Sequence, residues 1–437
     1  MSSLPKFDPD DTANLRAEWL QFKSYLYDRE IGLPTLPTII SDIRRQLEDT
    51  GCIGLLTFML NAERQVEEIW GWKAYDRLIV DFVKQLKALS DGGLVPKGIL
   101  CVPAVRSDEV LSFVPLPSQN GKDPADALRE LRKELDDFVG AFLTERLTST
   151  DRYTSHVGQS LILFDPKVRV ERVVYRGLRE ARGEIFRRTA TAEQAGKEEL
   201  RGILARRSIV SLFQPIVDMV EGKVVAIEAL SRGPKGSGFE DAEALFSLAE
   251  KVDLAIPLER LCRQRSLEEA GKAEWKEQIF INMSPTAASD HEFLEGAFLR
   301  DVEKQHLDPN LIVIEVTERT YAQQQDLFQK VLKELRREGF RVAVDDLGSG
   351  YSNLSSLAEI KPEFLKFDHL FTKDIQRHRI KQDLLGAILN FAIELDTQVI
   401  AEGIETAEEF EALRRLGVQL GQGYFLSRPT LIEHVIH

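Results

Sequence analysis

Six short apolar runs in the second half of this chain each lead into an acid, an amide or a lysine. Val224-Val225-Ala226-Ile227 ends at Glu228, and Ile279-Phe280-Ile281 ends at Asn282. Leu311-Ile312-Val313-Ile314 ends at Glu315, with Glu318 three residues on. Val342-Ala343-Val344 runs into Asp345-Asp346, and Phe364-Leu365 runs into Lys366 and then Asp368. Val399-Ile400-Ala401 runs into Glu402 and then Glu405. Short β-branched runs read as buried parallel strands. In a barrel of such strands the chemistry collects at their C-terminal ends. Hard divalent cations take several oxygen ligands. Glu228, Asn282, Glu315 and Asp345 can converge on one ion, and Asp346 with Glu402 can complete a second. Two ions roughly 3.5–4 Å apart stabilise the attacking and leaving oxygens of a phosphate displacement and generate hydroxide near neutral pH.

Other residue types support that chemistry. Lys366 follows an apolar run and sits among acids, where it can orient the attacking water or neutralise a phosphate oxygen. Arg232, four residues after Glu228, suits bidentate phosphate recognition. Gln214 and Gln422 stand near the first and last strands, where amides read a ligand's polar edges. Adjacent aspartates at the end of a strand point to opposite faces unless a sharp turn re-aims one, and Gly348-Ser349-Gly350 supplies such a turn.

The elements that must position these residues follow from periodicity. Strands are expected at Leu212–Ile216, Val224–Ala229, Gln278–Ile281, Leu311–Val316, Arg341–Val344, Phe364–Phe367, Gln398–Ala401 and Gly423–Leu426. Helical segments separate most of them, which implies parallel crossovers and a closed (β/α)8 TIM-like barrel over 209–437. Only Val217 to Lys223, with Glu221-Gly222 as its turn, separates the first two strands. A parallel crossover needs a dozen or more residues, so one strand of this modified barrel must be antiparallel.

Upstream, residues 36–190 read as a smaller α/β domain with a mostly antiparallel sheet covered by helices. Residues 1–35 form an N-terminal segment with a helix from Asp11 to Asp28, carrying Leu15, Trp19, Phe22 and Leu26 at helical spacing. Residues 170–208 are strongly charged with apolar positions at helical spacing and read as one long helix, whose end, 191–208, is a connector that transmits a signal, forms a dimer interface or is simply solvated.

The 437 residues suffice for two or three domains, and a net charge of −14 argues against a general nucleic-acid binder. Three cysteines without paired spacing (Cys52, Cys101 and Cys262) fit a reducing cytoplasm and exclude a zinc ribbon or a disulfide framework. No apolar stretch approaches the roughly 18–20 residues of a membrane span, and the polar start with Pro5 and Pro9 does not read as a signal peptide. The expectation is a soluble, cytoplasmic protein.

The barrel's motifs, taken in order, make the chain similar to the EAL-domain family of cyclic di-GMP phosphodiesterases. They are Phe213-Gln214-Pro215-Ile216, Glu228-Ala229-Leu230 with Arg232, Asn282-Met283-Ser284-Pro285 and Glu315-Val316-Thr317-Glu318. Further on stand Asp345-Asp346-Leu347-Gly348-Ser349-Gly350-Tyr351-Ser352, Leu365-Lys366-Phe367-Asp368, Ala401-Glu402-Gly403-Ile404-Glu405-Thr406 and Gly421-Gln422-Gly423-Tyr424-Phe425. The resemblance implies two Mg2+ or Mn2+ ions and hydrolysis of cyclic di-GMP to linear pGpG. It implies that Glu228, Asn282, Glu315 and Asp345 hold the first metal and that Asp345, Asp346 and Glu402 hold the second. Lys366 is implied to position the attacking water, and Glu402 is also cast as general base. Glu318 is implied to hold the loop after Asp345-Asp346, where Leu347 and Ser349 replace the family's Phe and Thr. Gln214, Leu230, Arg232, Asp368, Glu405 and Gln422 are implied to face the substrate. The family usually dimerises through the barrel, so a homodimer is expected.

The first domain resembles the GGDEF family of diguanylate cyclases in degenerate form. Arg106-Ser107-Asp108-Glu109-Val110 stands at the signature, and the side chains of Arg106 and Ser107 obstruct the close backbone approach that glycines allow. Aligning Trp70-Gly71-Trp72 with the family's pattern places Met59 at a metal-binding aspartate and Glu67 at a guanine-reading asparagine, while Asp76 keeps its match. The product-inhibition motif is replaced by Lys97-Gly98-Ile99-Leu100. No cyclase activity is expected. The remaining role is regulatory or dimerising, with GTP as the regulatory nucleotide to test, or that of an inert scaffold. The rival reading of the whole chain is a catalytically silent module that binds cyclic di-GMP and passes on a signal.

Overall fold

The computed structural model describes residues 25–60, 66, 71–92, 96–116, 123–147, 154–284, 290, 295–317, 325–347 and 354–435. The chain divides into two compact units, residues 1–196 and 197–437.

The first unit opens with a two-stranded ribbon, β1 (Tyr27–Asp28) and β2 (Leu33–Pro34). The helix expected to run to Asp28 gives way to a turn at Tyr25 and Leu26 and a strand at its last two positions, and its part up to residue 24 lies outside the described residues. The physical reason is local. Asp28 Oδ1 accepts from the N–H groups of Glu30 and Ile31, and Gly32 turns the chain at φ +72°. Four further strands are β3 (Cys52–Met59), β4 (Ile99–Cys101), β5 (Glu109–Pro115) and β6 (Val157–Leu163). They form an antiparallel sheet in the order β4-β5-β3-β6. Alternation along the central strand splits the core in two. Ile53 and Leu55 face helix α1 (Leu36–Thr50), whereas Leu56 and Phe58 face α2 (Trp72–Asp91) and α3 (Pro124–Thr144). Helix α4 runs unbroken from Val170 to Arg206, which is the long charged helix expected over residues 170–208, and the connector 191–208 is for most of its length its C-terminal part.

The second unit is a closed eight-stranded barrel. Its strands are β7 (Val210–Asp218), β8 (Val224–Arg232), β9 (Gln278–Asn282), β10 (Ile312–Thr317), β11 (Arg341–Leu347), β12 (Phe364–Phe367), β13 (Gln398–Ala401) and β14 (Leu420–Gly421). Strands β8 to β14 are parallel neighbours in turn, and β7 pairs antiparallel with both β8 and β14. The reversed strand is thus the first, as the short connection requires. Its turn is built by Asp218, whose Oδ1 accepts from the N–H groups of Val220 and Glu221, and by Gly222 at φ +70°. The last strand lies at Leu420–Gly421 rather than at the expected Gly423–Leu426. A Cβ at Gly423 would come within 2.2 Å of the Ile404 backbone, so this segment turns tightly against a neighbouring loop instead of extending.

Helices between the strands include α5 (Ala242–Lys251), α6 (Ala255–Lys272), α7 (Ala297–Lys304), α8 (Gln325–Arg337), α9 (Leu354–Ile360), α10 (His369–Thr372), α11 (Arg379–Glu394) and α12 (Ala407–Leu416). The outer core lies between strands and helices and holds Ile227, Ile279, Ile281, Ile314, Val342, Val344, Leu365 and Val399. The barrel's inside holds a separate apolar cluster to which every strand gives one residue: Ile216, Ala226, Phe280, Val313, Ala343, Phe364, Ile400 and Leu420.

Candidate active site

The inner cluster fixes what comes next. Side chains two apart on a strand share a face. Two positions beyond the apolar cluster stand Glu228, Asn282, Glu315, Asp345, Lys366, Glu402 and Gln422, and on the reversed strand Gln214 stands two positions before Ile216. The barrel's apolar interior is therefore capped by eight polar residues, one from, or immediately following, each strand.

Lys366 is the centre of this cap. It is 0 % exposed. Its Nζ lies 2.5 Å from Glu315 Oε1, 2.7 Å from Glu402 Oε1, 3.2 Å from Glu228 Oε2 and 3.8 Å from Asp345 Oδ1. The amides complete the ring. Gln422 Nε2 donates to Glu228 Oε2 at 2.7 Å and to Gln214 Oε1 at 3.1 Å. Asn282 Nδ2 donates to Glu228 Oε1 at 3.1 Å, and Gln214 Nε2 donates to the Ser427 carbonyl at 3.0 Å.

Charge balance tells what the site is suited to hold. Four carboxylates surround one ammonium, so up to three negative charges remain uncompensated in a buried layer. An unpaired buried charge costs several kcal/mol, and proteins avoid it by protonation or by binding a counter-ion. Burial and the neighbouring Glu228 push the Glu315 carboxyl well above the usual carboxylate range. Burial, outweighing Lys366, pushes Glu402 up to about 8. Burial also opposes the charge on Glu228, but Lys366 and the amides hold it below its ordinary value. Burial lowers Lys366, yet the carboxylates around it outweigh that and raise it well above its ordinary value. Both Glu315 oxygens are buried; Oε1 meets Lys366 Nζ, and Oε2 has no hydrogen-bond partner among the described residues. Surplus buried negative charge and unused oxygen acceptors fit hard divalent cations. Among the described residues the carboxylates are gathered round Nζ, and no three His, Cys, Asp or Glu side chains stand in ion-holding geometry.

Strand irregularity bears on the aspartate pair. The β11–β12 register is Val344 opposite Leu365, then Leu347 opposite Phe367, so one extra residue enters β11 at Asp345-Asp346. A bulge of this kind re-aims side chains. Asp345 joins the cap through Lys366, whereas the Asp346 side chain, Glu318 and the loop 348–353 lie outside the described residues.

The remaining expected residues stand apart from the cap. Asp368 caps α10, its Oδ1 accepting from the Leu370 N–H at 2.6 Å. Glu405 is exposed, its N–H donating to Glu409 Oε2. Leu230 and Arg232 line a neighbouring cavity of about 360 Å³, to which Asn282 also contributes. Arg232 Nη1 donates to the Ser231 carbonyl at 2.8 Å.

Two groups escaped the sequence reading. Glu259 and Arg263 on α6 are 5 % and 6 % exposed and line that same cavity. The available signal was a charged pair four residues apart beside Leu258, Leu261 and Cys262 in an apolar stretch. Glu409 is the other. It closes a capping box with Thr406 and accepts from the N–H groups of Asp374, Glu405 and Thr406, fixing the loop that follows Glu402. Its signal was Thr406 followed three residues later by an acid.

In the first unit, Arg106 holds φ +59° in the β4–β5 turn, and its N–H donates to Asp28 Oδ2 at 2.7 Å. Arg106, Ser107, Asp76 and Asp108 border a cavity of about 290 Å³. Glu109 is buried and pairs with Arg182 of α4 through both carboxylate oxygens, and it accepts from the Thr57 hydroxyl.

Comparison with known proteins agrees with the barrel. The EAL domain model matches residues 197–429. A cyclic di-GMP phosphodiesterase of Pseudomonas aeruginosa is 32% identical over 230 residues, covering 51% of this chain and 39% of that protein. A probable cyclic di-GMP phosphodiesterase of Escherichia coli, PdeB, is 30% identical over 242 residues, covering 54% of this chain and 45% of its own length. The chain thus spans less than half the length of these relatives. The solved PaMucR phosphodiesterase in complex with c-di-GMP superposes with TM-score 0.51 at 27% identity, over 55% of this chain and 98% of that one. With the reversed first strand, the polar cap and a family match over more than half its length, this chain belongs to the EAL domain family.

Proposed function

We propose that the chain hydrolyses one phosphodiester of cyclic di-GMP to give linear pGpG. The observation that carries this reading is the buried cap of Glu228, Glu315, Asp345 and Glu402 around Lys366, with more negative charge than the lysine balances. Two Mg2+ or Mn2+ ions fit that surplus. Glu228, Asn282, Glu315 and Asp345 would hold one, and Asp345, Asp346 and Glu402 the other. The ions supply phosphate charge neutralisation and a water of lowered pKa.

The chain's own groups then have distinct tasks. Glu402 has the most exposed side chain of the four acids, at 20 %, and suits a base facing the incoming water. Lys366 keeps its charge and neutralises the developing oxyanion. Gln214 and Gln422 orient Glu228. Arg232 recognises a phosphate, and Leu230, Asp368 and Glu405 face the nucleotide. Glu318 holds the loop after Asp346.

The first unit is read as a degenerate GGDEF-like domain without cyclase activity. The β4–β5 turn carries side chains at Arg106 and Ser107, and Glu109 is engaged by Arg182. Its role is regulatory or dimerising, with GTP as the nucleotide to test. A homodimer through the barrel is supported by Ile380 and Leu384, one turn apart on α11 and 84% and 44% exposed.

The test is incubation of the full chain with cyclic di-GMP and Mn2+, following pGpG by chromatography. Turnover that disappears in Glu228→Ala is expected. Calorimetric binding of intact dinucleotide without any product would instead establish the silent binding module.

A further inference from the structure

Helix α4 sorts its charges in the first unit. Between Val170 and Arg188 it carries three glutamates and six arginines. Every one of these glutamates is engaged. Glu171 pairs with Arg44 at 3.4 Å, Glu180 accepts from the Ser160 hydroxyl at 3.0 Å, and Glu184 accepts from the Gln159 N–H at 2.8 Å. Two of the arginines turn inward as well, Arg182 to Glu109 and Arg188 to Asp136. The other four, Arg172, Arg176, Arg179 and Arg187, are exposed, as is Arg169 just before the helix. None of these five forms an ion pair among the described residues.

Helical period gathers the five on one side. At 3.6 residues per turn they fall within about 80° of arc, and Tyr175 and Phe186 widen that arc to about 120°. Both rings stand out from the surface, 47% and 62% exposed. The opposite side carries Val170, Val174, Leu178 and Ile185, all buried, so the helix cannot roll to hide the stripe. From Arg169 to Arg187 the stripe is about 27 Å long at 1.5 Å per residue.

Five unpaired cations beside two exposed rings call for a partner that is anionic at its surface and apolar just beneath. An anionic phospholipid layer has that profile. Guanidinium groups pair with headgroup phosphates, and aromatic side chains settle at the boundary below them. Two other occupants fit less well. A second copy of the helix would set arginine against arginine. A single-stranded nucleic acid stacks successive bases on neighbouring rings, whereas Tyr175 and Phe186 are about 16 Å apart along the axis.

We infer that the exposed side of α4 from Arg169 to Arg187 docks on an anionic phospholipid membrane. The attachment is peripheral, through charge and two shallow rings, and none of the described helices is long and apolar enough to cross a bilayer. It is independent of the hydrolytic reading of the cap.

The test is co-sedimentation of the full chain with vesicles of phosphatidylcholine alone and of an equal mixture of phosphatidylcholine and phosphatidylglycerol. The mixed vesicles are expected to carry the protein down at low salt, and the neutral ones to leave it in solution. Salt at about 1 M, where the Debye length is about 3 Å, should release it. Each arginine at an anionic surface is worth about fivefold in partition. The triple variant Arg172→Gln, Arg176→Gln, Arg179→Gln should therefore bind about a hundredfold more weakly, with a melting temperature near that of the wild type. Phe186→Ser should weaken binding about fivefold, through loss of the ring's apolar area. Equal sedimentation with both kinds of vesicle, or a triple variant that binds as the wild type does, would overturn the assignment. So would a wild type that stays in solution with the mixed vesicles, whether or not it retards a single-stranded RNA in a gel.

Discussion

Lys366 shows how one side chain organises the site. It has no solvent and four carboxylates within 4 Å, so its charge is held by them and theirs by it. Removing one member of a buried ion cluster costs about 3–5 kcal/mol, because the partners stay buried and uncompensated. Lys366→Met is therefore expected to lower the melting temperature markedly in EDTA and to recover part of the loss on adding Mn2+, read by thermal unfolding. Glu402→Ala behaves differently. Its side chain is the least buried of the four acids and its loss leaves Lys366 three carboxylates, so it should abolish pGpG formation at a smaller stability cost than Lys366→Met. Glu228→Ala should also abolish turnover, at a larger stability cost, because two amide donors lose their acceptor.

At the scale of elements, the loop after β13 holds the most exposed of the cap's acids in place. Gly403 sits at φ +63°, and a Cβ there would approach His369 Cβ to 2.3 Å. Gly403→Ala should cost at least about 1–2 kcal/mol from the left-handed backbone alone and should lower turnover with it, measured by melting and initial rates. Glu409 fastens the other end of the loop. Burial opposes its charge, but the N–H groups of Asp374, Glu405 and Thr406 hold its carboxyl below its ordinary value. A depressed carboxyl stabilises the fold fully above the unfolded-state pKa, roughly 4.3, and the benefit fades as pH falls through the folded-state value. Glu409→Gln should thus cost about 1–2 kcal/mol at neutral pH and progressively less as the pH drops below about 4, read from melts across pH. Much of this scale was legible in advance. The β7–β8 reversal followed from a connection too short to cross over. The last strand was misplaced because Gly421-Gln422-Gly423 reads as extended in either register, and only the contact with Ile404 decides.

At the scale of the whole molecule, all eight cap residues fall between Gln214 and Gln422, within the second unit. A fragment of residues 197–437 is expected to keep metal-dependent hydrolysis, checked by the same chromatography. Loss of turnover there would make the first unit a required part of the enzyme. The full chain incubated with GTP and Mg2+ should form no cyclic di-GMP, since Glu109 is already bound to Arg182 and Arg106 crowds the turn. Helix α4 belongs partly to each unit, with the division falling after residue 196. A regulatory first unit, as proposed, predicts a GTP-dependent shift in turnover of the full chain, measured by the same chromatography.

The sequence by itself determined the barrel and the identity of the cap, because a strand's two-residue period and its apolar run fix which residue emerges at its end. Glu228, Asn282, Glu315, Asp345, Lys366 and Glu402 could be named on that ground alone. Tertiary structure decided how they meet. Only closure of the barrel puts the lysine at the centre of the acids, and only the shared apolar layer beneath sets all eight polar groups at one height. The bulge at Asp345-Asp346 and the Glu259–Arg263 pair were out of reach for the same reason. Each depends on a neighbour distant in sequence, β12 for the bulge and the barrel mouth for the pair, and local pattern carries no information about distant neighbours.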